Sequence, residues 1–262
     1  GIMVGKSNGT YSSTRKFLPK TKITKDEAKK MINRLKNKGK RFKLSYDGQV
    51  LRIINLPKNY KDYPYILASF PNSYYEKKMW YTKQRTKNDL TPAKTAKLMS
   101  DEDKDLICEK VKKNLKLRLN IDYRKSLTSD WKEELSNTYR DTSLNRSLNA
   151  YVKAAKARKI VASSSQIVVD PSSLWTDKGG SSCYVRVYTK FRVKSGQVPS
   201  AKSSLQNEVI YGSYTAMKNL SSKKTVTFMD EIKVNISYTN GKMTSYGVDW
   251  GGDSLADVIG NK

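Results

Sequence analysis

The periodicity of the chain changes once, near residue 160, and that change limits the folds open to it more than any other feature. Before it, apolar residues recur at helical spacing; after it, they alternate. CYVRVYTKFRV puts Cys183, Val185, Val187, Phe191 and Val193 on one face of a strand and Tyr184, Arg186, Tyr188, Lys190 and Arg192 on the other. TVTFMDEIKVNISY repeats the pattern with Val226, Phe228, Ile232, Val234 and Ile236 inward, turns at Asn240-Gly241 and returns as MTSYGVDW. Asn-Gly accepts the positive φ values of a two-residue hairpin turn, so these two runs are expected to pair antiparallel. IVASSSQIVV reads as a first strand pair or one bent strand, ended by Asp170-Pro171, and NEVIYGSY as a shorter strand.

Upstream of the change the helices carry start signals. Thr24 with Glu27 three residues on is a capping-box pattern, followed by Ala28, Met31, Ile32 and Leu35 at helical spacing and Gly39 as a stop. Ser100 precedes an acidic first turn, Asp101 to Asp103, and Ile107, Val111, Leu115 and Leu119 then form one stripe of a long helix. Shorter helices are expected after Thr128, around Trp131 and Leu135, and along Leu144, Leu148, Tyr151, Val152 and Ala155. Between the first helix and the long one, FKLSYDGQVLRI reads as a hairpin with a type I′ turn at Asp47-Gly48. Residues 55–81 read as a tyrosine-packed strand-and-turn layer, and residues 82–100 as a polar linker.

Helices followed by antiparallel strands predict an α+β protein with its helices on one face of a curved sheet. The element order after residue 100 resembles the NTF2-like (cystatin-like) cone. The expected organisation is a flexible arm at 1–20, a basic Tyr/Pro-rich helix-plus-hairpin domain at 21–99, and an NTF2-like domain at 100–262. No stretch reaches the roughly 20 apolar residues of a membrane-spanning helix. Gly1 ahead of Ile2-Met3 reads as a cloning remnant, and an export signal is expected to have been removed ahead of it.

The charge is lopsided. Lys and Arg number 51 against 24 acids, a net of +27. Residues 1–100 hold 24 bases and 6 acids, so two thirds of the excess sits in the first hundred residues. Such a field draws polyanions and says nothing about fold. Lys36, Lys38, Lys40 and Arg41 cluster after the first helix, with Lys29 and Lys30 on it and Lys43 in the hairpin; Lys112, Lys113 and Lys116 form a second basic face. The face Tyr184, Arg186, Tyr188, Lys190, Arg192 interleaves rings and cations as a stacking and phosphate-binding surface would, and equally as an ordinary solvated strand face would. The crowded rings Tyr60, Tyr63, Tyr65, Phe70, Tyr74, Tyr75, Trp80 and Tyr81 suit a carbohydrate platform or the core of a small domain.

The chemistry is narrowed by absence. There is no histidine, which removes Ser-His-Asp and Cys-His catalysis and histidine-ligated zinc; Cys108 and Cys183 lie far apart with no CxxC. Both cysteines fall on apolar stripes that would meet in one core, where a disulfide and two buried thiols are both plausible. Asp122, Asp170, Asp230, Glu231 and Asp249 are the acids to weigh as paired carboxylates; no pair is placed by the sequence, and Asp170-Pro171 reads as a turn. No catalytic residue, cofactor site or metal site is expected, and no phosphate loop is present.

Three patches resemble a known group of chains: Asp62-Tyr63-Pro64-Tyr65-Ile66-Leu67 with Pro71-Asn72 and Tyr74-Tyr75-Glu76; Leu119-Asn120-Ile121-Asp122-Tyr123-Arg124; and Ala157-Arg158-Lys159-Ile160-Val161 leading to Val169-Asp170-Pro171. They are similar to uncharacterised secreted proteins of clostridia and other Gram-positive bacteria, which often carry a domain named for the copper amine oxidase N-terminus. The resemblance implies an extracellular or wall-associated location and carries no oxidase chemistry, since a copper centre of that kind needs histidine. The function expected is therefore non-enzymatic: binding or scaffolding on an anionic envelope polymer or surface protein. A nucleic-acid-binding protein and an extracytoplasmic scaffold of a secretion or conjugation apparatus are the alternatives.

Overall fold

Helix α1 (Lys25–Lys36) begins where its capping box closes: the Thr24 hydroxyl accepts from the Glu27 N–H at 3.2 Å and the Glu27 carboxylate accepts from the Thr24 N–H at 2.8 Å. It ends where Arg41 folds back, its guanidinium donating to the carbonyls of Arg34 (3.0 Å) and Leu35 (3.1 Å). These are carbonyls that no later turn of helix satisfies. The computed structural model in which this is seen describes residues 22–140, 145–157, 159–195 and 225–249. The expected arm at 1–20, the strand NEVIYGSY, residues Leu144 and Tyr151 of the helical stripe, and the inward side chains of Val226 and Phe228 lie outside what it describes.

The chain divides into two compact units, Gly1–Lys77 and Lys78–Lys262. In the first, the hairpin forms with a turn other than the expected type I′. Only Gly48 (φ 80) has a positive φ, whereas type I′ requires it at Asp47 as well. Ser45 N–H donates to Gln49 across the three-residue loop 46–48, and Leu44 bridges Val50. The glycine thus serves as the left-handed residue that closes a longer loop. The tyrosine segment contains short helices in place of strands: a 3-10 turn at Tyr60–Asp62 and α2 (Asn72–Glu76). Its rings turn toward one another. Phe70 stacks on Tyr74 at 4.2 Å, Tyr75 stands edge-on to Tyr63 at 4.9 Å, and Tyr74 and Tyr75 are wholly buried. Tyr75 accepts the Leu67 N–H at 3.0 Å, and the Tyr63 hydroxyl donates to the Tyr75 carbonyl at 3.0 Å. Such rings are the core of a small unit, as aromatic side chains bury the most area per residue.

The second unit starts at Lys78, not at residue 100. Residues 82–100, read from sequence as a linker, hold α3 (Trp80–Gln84) and α4 (Pro92–Leu98), with Thr91 capping α4 and Pro92 in its first turn. They are tied to the sheet by backbone and hydroxyl bonds: Leu90 N–H to the Thr176 carbonyl at 3.0 Å, and Thr176 N–H to the Thr95 hydroxyl at 3.2 Å. Next come α5 (Asp101–Leu119), α6 (Ser129–Ser136) and α7 (Asn145–Ala157), interrupted by the short strand β1 (Ile121–Asp122). Ser100 caps α5 through the Asp103 N–H at 3.0 Å. Four strands then run as an antiparallel meander: β2 (Val161–Thr176), β3 (Ser182–Ser195), β4 (Thr225–Thr239) and β5 (Lys242–Val248), in the order β1-β2-β3-β4-β5. This is the α+β arrangement the change of period predicts.

Cys183, Val185, Val187, Phe191 and Val193 are all buried and join Ile107, Val111, Leu115 and Leu119 of α5 in one core. Asn240 (φ 51) and Gly241 (φ 76) both take positive φ, as a two-residue hairpin turn requires. One expectation fails in an instructive way. Asp170-Pro171 does not end β2: the register jumps from Asp170 opposite Arg186 to Trp175 opposite Tyr184. Pro171 is carried in that bulge, where its missing N–H costs the ladder nothing. Cys108, half-buried on α5, and buried Cys183 are not joined by a disulfide, and burial pushes the Cys183 thiol pKa up.

Candidate functional site

The ten residues singled out as binding candidates fall into two groups of opposite fate. Those on β3 are largely covered. Tyr184 stacks on Trp175 at 4.1 Å and meets Tyr81 at 4.8 Å. Tyr188 is buried, Lys190 lies half-buried with its ammonium 5.6 Å from the Tyr188 ring, and only Arg192 is fully exposed. Arg186 is 3% exposed and donates to Glu231, itself at 0%, at 3.4 Å. A stacking platform needs open rings, so the reading of residues 184–192 as one exposed face is corrected: α3 lies against its Tyr184 and Arg186 end, through Tyr81 and Thr82.

What holds that cover is a rung of charge across three strands. Asp170 on β2 is registered opposite Arg186 on β3, and Arg186 opposite Glu231 on β4, so all three side chains leave the sheet on one face. Thr82 of α3 closes the rung. Its N–H donates to Glu231 at 2.7 Å, its hydroxyl to the other carboxylate oxygen, and Arg186 donates to that hydroxyl oxygen at 3.3 Å. On the Asp170 side, the carboxylate accepts from the Ser172 N–H (2.9 Å) and hydroxyl (2.6 Å), while Ser173 in the same bulge accepts the Arg186 N–H at 2.8 Å. The bulge thus satisfies acceptors that burial would otherwise leave bare.

Of the other acids, Asp230 and Glu231 are consecutive on a strand and point to opposite faces. Asp249 pairs with Lys233 at 2.8 Å, and that hydrogen bond raises the Lys233 pKa. Asp122 takes a bidentate grip from Arg124, at 2.8 and 2.6 Å, which holds its carboxyl down at about 2. Each is engaged in holding a local turn or strand.

The second group stays open. Lys36, Lys38, Lys40 and Lys43 are exposed, as are Lys29 and Lys30, and half-buried Arg41 is occupied in fastening the end of α1. Residues 28–46 contain eight Lys or Arg and no acid. The cations gather at the C-terminal end of α1, where the helix dipole favours them. Lys29, Lys30 and Lys36 sit on the capped helix, Lys38 and Lys40 on the 3-10 turn that follows it, and Lys43 in the hairpin, so the backbone that carries the cluster is ordered throughout. The basic face on α5 is less open to a ligand, because Lys112 pairs with Glu109 at 3.4 Å and Lys113 with Glu134 at 3.3 Å.

Sequence reasoning found the α1 cluster and missed the rung. Thr82 lay in a stretch read as linker, and nothing in the alternation of β3 distinguishes an Arg facing water from one facing a buried carboxylate. No family, curated protein or solved structure matches the chain.

Proposed function

We propose that this is a non-enzymatic binding or scaffold protein of the Gram-positive cell exterior, in which the end of α1 and the hairpin after it grip an anionic envelope polymer. The observation that carries the reading is the acid-free run at 28–46, with Lys36, Lys38, Lys40 and Lys43 exposed around a capped helix end. Surface lysines add little to the stability of a unit this small, whereas a cluster without neighbouring acids raises the local concentration of any phosphate-bearing chain. The second unit then serves as the scaffold. The finer fold proposed for it is the NTF2-like cone, supported by a long helix, two shorter ones and a four-stranded antiparallel meander.

The test uses linear inorganic polyphosphate as the probe. Binding of the full chain is expected to weaken steeply with salt, because each neutralised phosphate releases a counterion. The variant K36Q/K38Q/K40Q/K43Q should bind at least tenfold more weakly, with a log–log salt slope shallower by about 3. An affinity independent of salt, or a fourfold variant that binds as tightly as the parent, refutes the reading.

A further inference from the structure

Helix α1 is amphipathic, yet none of its 12 residues is buried. Ala28, Ile32 and Leu35 recur at i, i+4 and i+7, with Met31 beside them, and so share one face. Ile32 is 52% exposed, Leu35 59%, and Ile23 just ahead of the cap 50%. A helix of this length is marginal in water by itself and normally owes its place to packing of its apolar face. Here both ends are fastened by side chains, and although Ala28 and Met31 are half-buried, among the described residues Ile32 and Leu35 stay exposed.

The charges beside the stripe say what kind of surface would cover it. Lys25, Lys29 and Lys36, at i, i+4 and i+11, run along one flank, and the chain beyond the helix adds Lys38, Lys40 and Lys43. A soluble polyanion would use the lysines and leave Ile32 and Leu35 in water. A protein interface is depleted of lysine. Aliphatic side chains bordered by lysines whose stems can lie along the apolar boundary, with the ammonium groups reaching outward, match an interfacial helix on a negatively charged bilayer.

We propose that α1 lies in the surface of an anionic lipid bilayer, with Ile23, Ile32 and Leu35 entering the headgroup–acyl boundary and Lys25, Lys29 and Lys36 meeting lipid phosphates. This rests on the anion-binding reading above and names its partner. Because the helix is already capped, docking costs little ordering of the backbone.

The experiment is co-sedimentation of the full chain with vesicles of phosphatidylglycerol mixed into phosphatidylcholine, and with phosphatidylcholine alone, alongside polyphosphate binding. The chain is expected on the anionic vesicles and not on the neutral ones. I32Q/L35Q should bind anionic vesicles about a hundredfold more weakly, roughly tenfold for each side chain, with polyphosphate binding unchanged. The volume-conserving I32L/L35I should keep vesicle binding, which separates loss of apolar contact from a disturbed helix. Vesicle binding by I32Q/L35Q equal to the parent overturns the proposal and leaves polymer binding standing. So does a chain that ignores anionic vesicles but self-associates through this face, dissociating in I32Q/L35Q. Loss of both vesicle and polyphosphate binding by the parent chain overturns both readings.

Discussion

Replacing Arg186 by Met tests whether the buried rung is closed. The substitution keeps a long unbranched side chain and removes the cation that stands between Asp170 and Glu231 in register, both 0% exposed. Glu231 would keep the Thr82 N–H and hydroxyl, and Asp170 would keep Ser172, but neither carboxylate would retain the guanidinium between them. Removing one partner of a buried pair costs about 3–5 kcal/mol, against a whole-unit stability of about 5–15 kcal/mol. The double replacement R186M/E231L removes the cation together with one of its two flanking carboxylates, leaving Asp170 to Ser172, and should cost less than R186M alone, which strands both carboxylates. Urea unfolding followed by tryptophan fluorescence reads this directly, because Trp80, Trp131 and Trp175 all belong to the unit Lys78–Lys262. A cost under about 1 kcal/mol for R186M would mean that water reaches the rung and that α3 does not seal it. Strict additivity in the double variant would show that Arg186 and Glu231 act separately, and either result refutes the account of the covered face.

Two further substitutions probe local devices. Y75F removes the oxygen that accepts the buried Leu67 N–H, so exchange of the Leu67 amide should quicken by about tenfold to a hundredfold, the equivalent of about 1–3 kcal/mol; an unchanged rate rejects that bond as a prop of the tyrosine core. D122N removes a carboxyl held at about 2 by Arg124, below its ordinary value of about 3.9 when unfolded. The contribution is therefore present above about pH 4 and lost as pH falls through about 2, so the gap in Tm between parent and D122N should be widest near neutrality and close by pH 2. A gap constant across that range would assign the effect to packing.

How much of this was readable in advance depends on whether the governing contact is local. The capping box of α1, the Ser100 cap of α5, the inward face of β3 and the Asn240-Gly241 turn are each set by residues within a few positions of one another, and each stands as the spacing predicts. Asp47-Gly48 shows the limit of even a local signal. The dipeptide names a turn, but loop length is decided by which backbone pair closes, and Ser45 with Gln49 closes a longer one.

Nonlocal placement was not readable, and the two candidate surfaces show why in opposite directions. On β3, polar residues promised exposure and found burial. An alternating Tyr/Arg/Lys face is the same string of letters whether water or a covering segment lies above it, and the covering residue, Thr82, is 149 positions from Glu231. Gly247 makes the same point: a Cβ there would come within 2.5 Å of the Tyr139 backbone carbon, a close approach that no sequence feature announces. On α1, apolar residues promised burial and found exposure. Spacing shows that Ile32 and Leu35 share a face; it cannot show whether the fold supplies something to cover it. The informative residues are therefore those where local pattern and tertiary placement disagree. On β3 the disagreement is resolved inside the protein, by Asp170, Glu231 and Thr82. On α1 the described residues leave it unresolved, and a surface bearing both phosphate charge and hydrocarbon would settle both sides of the helix at once.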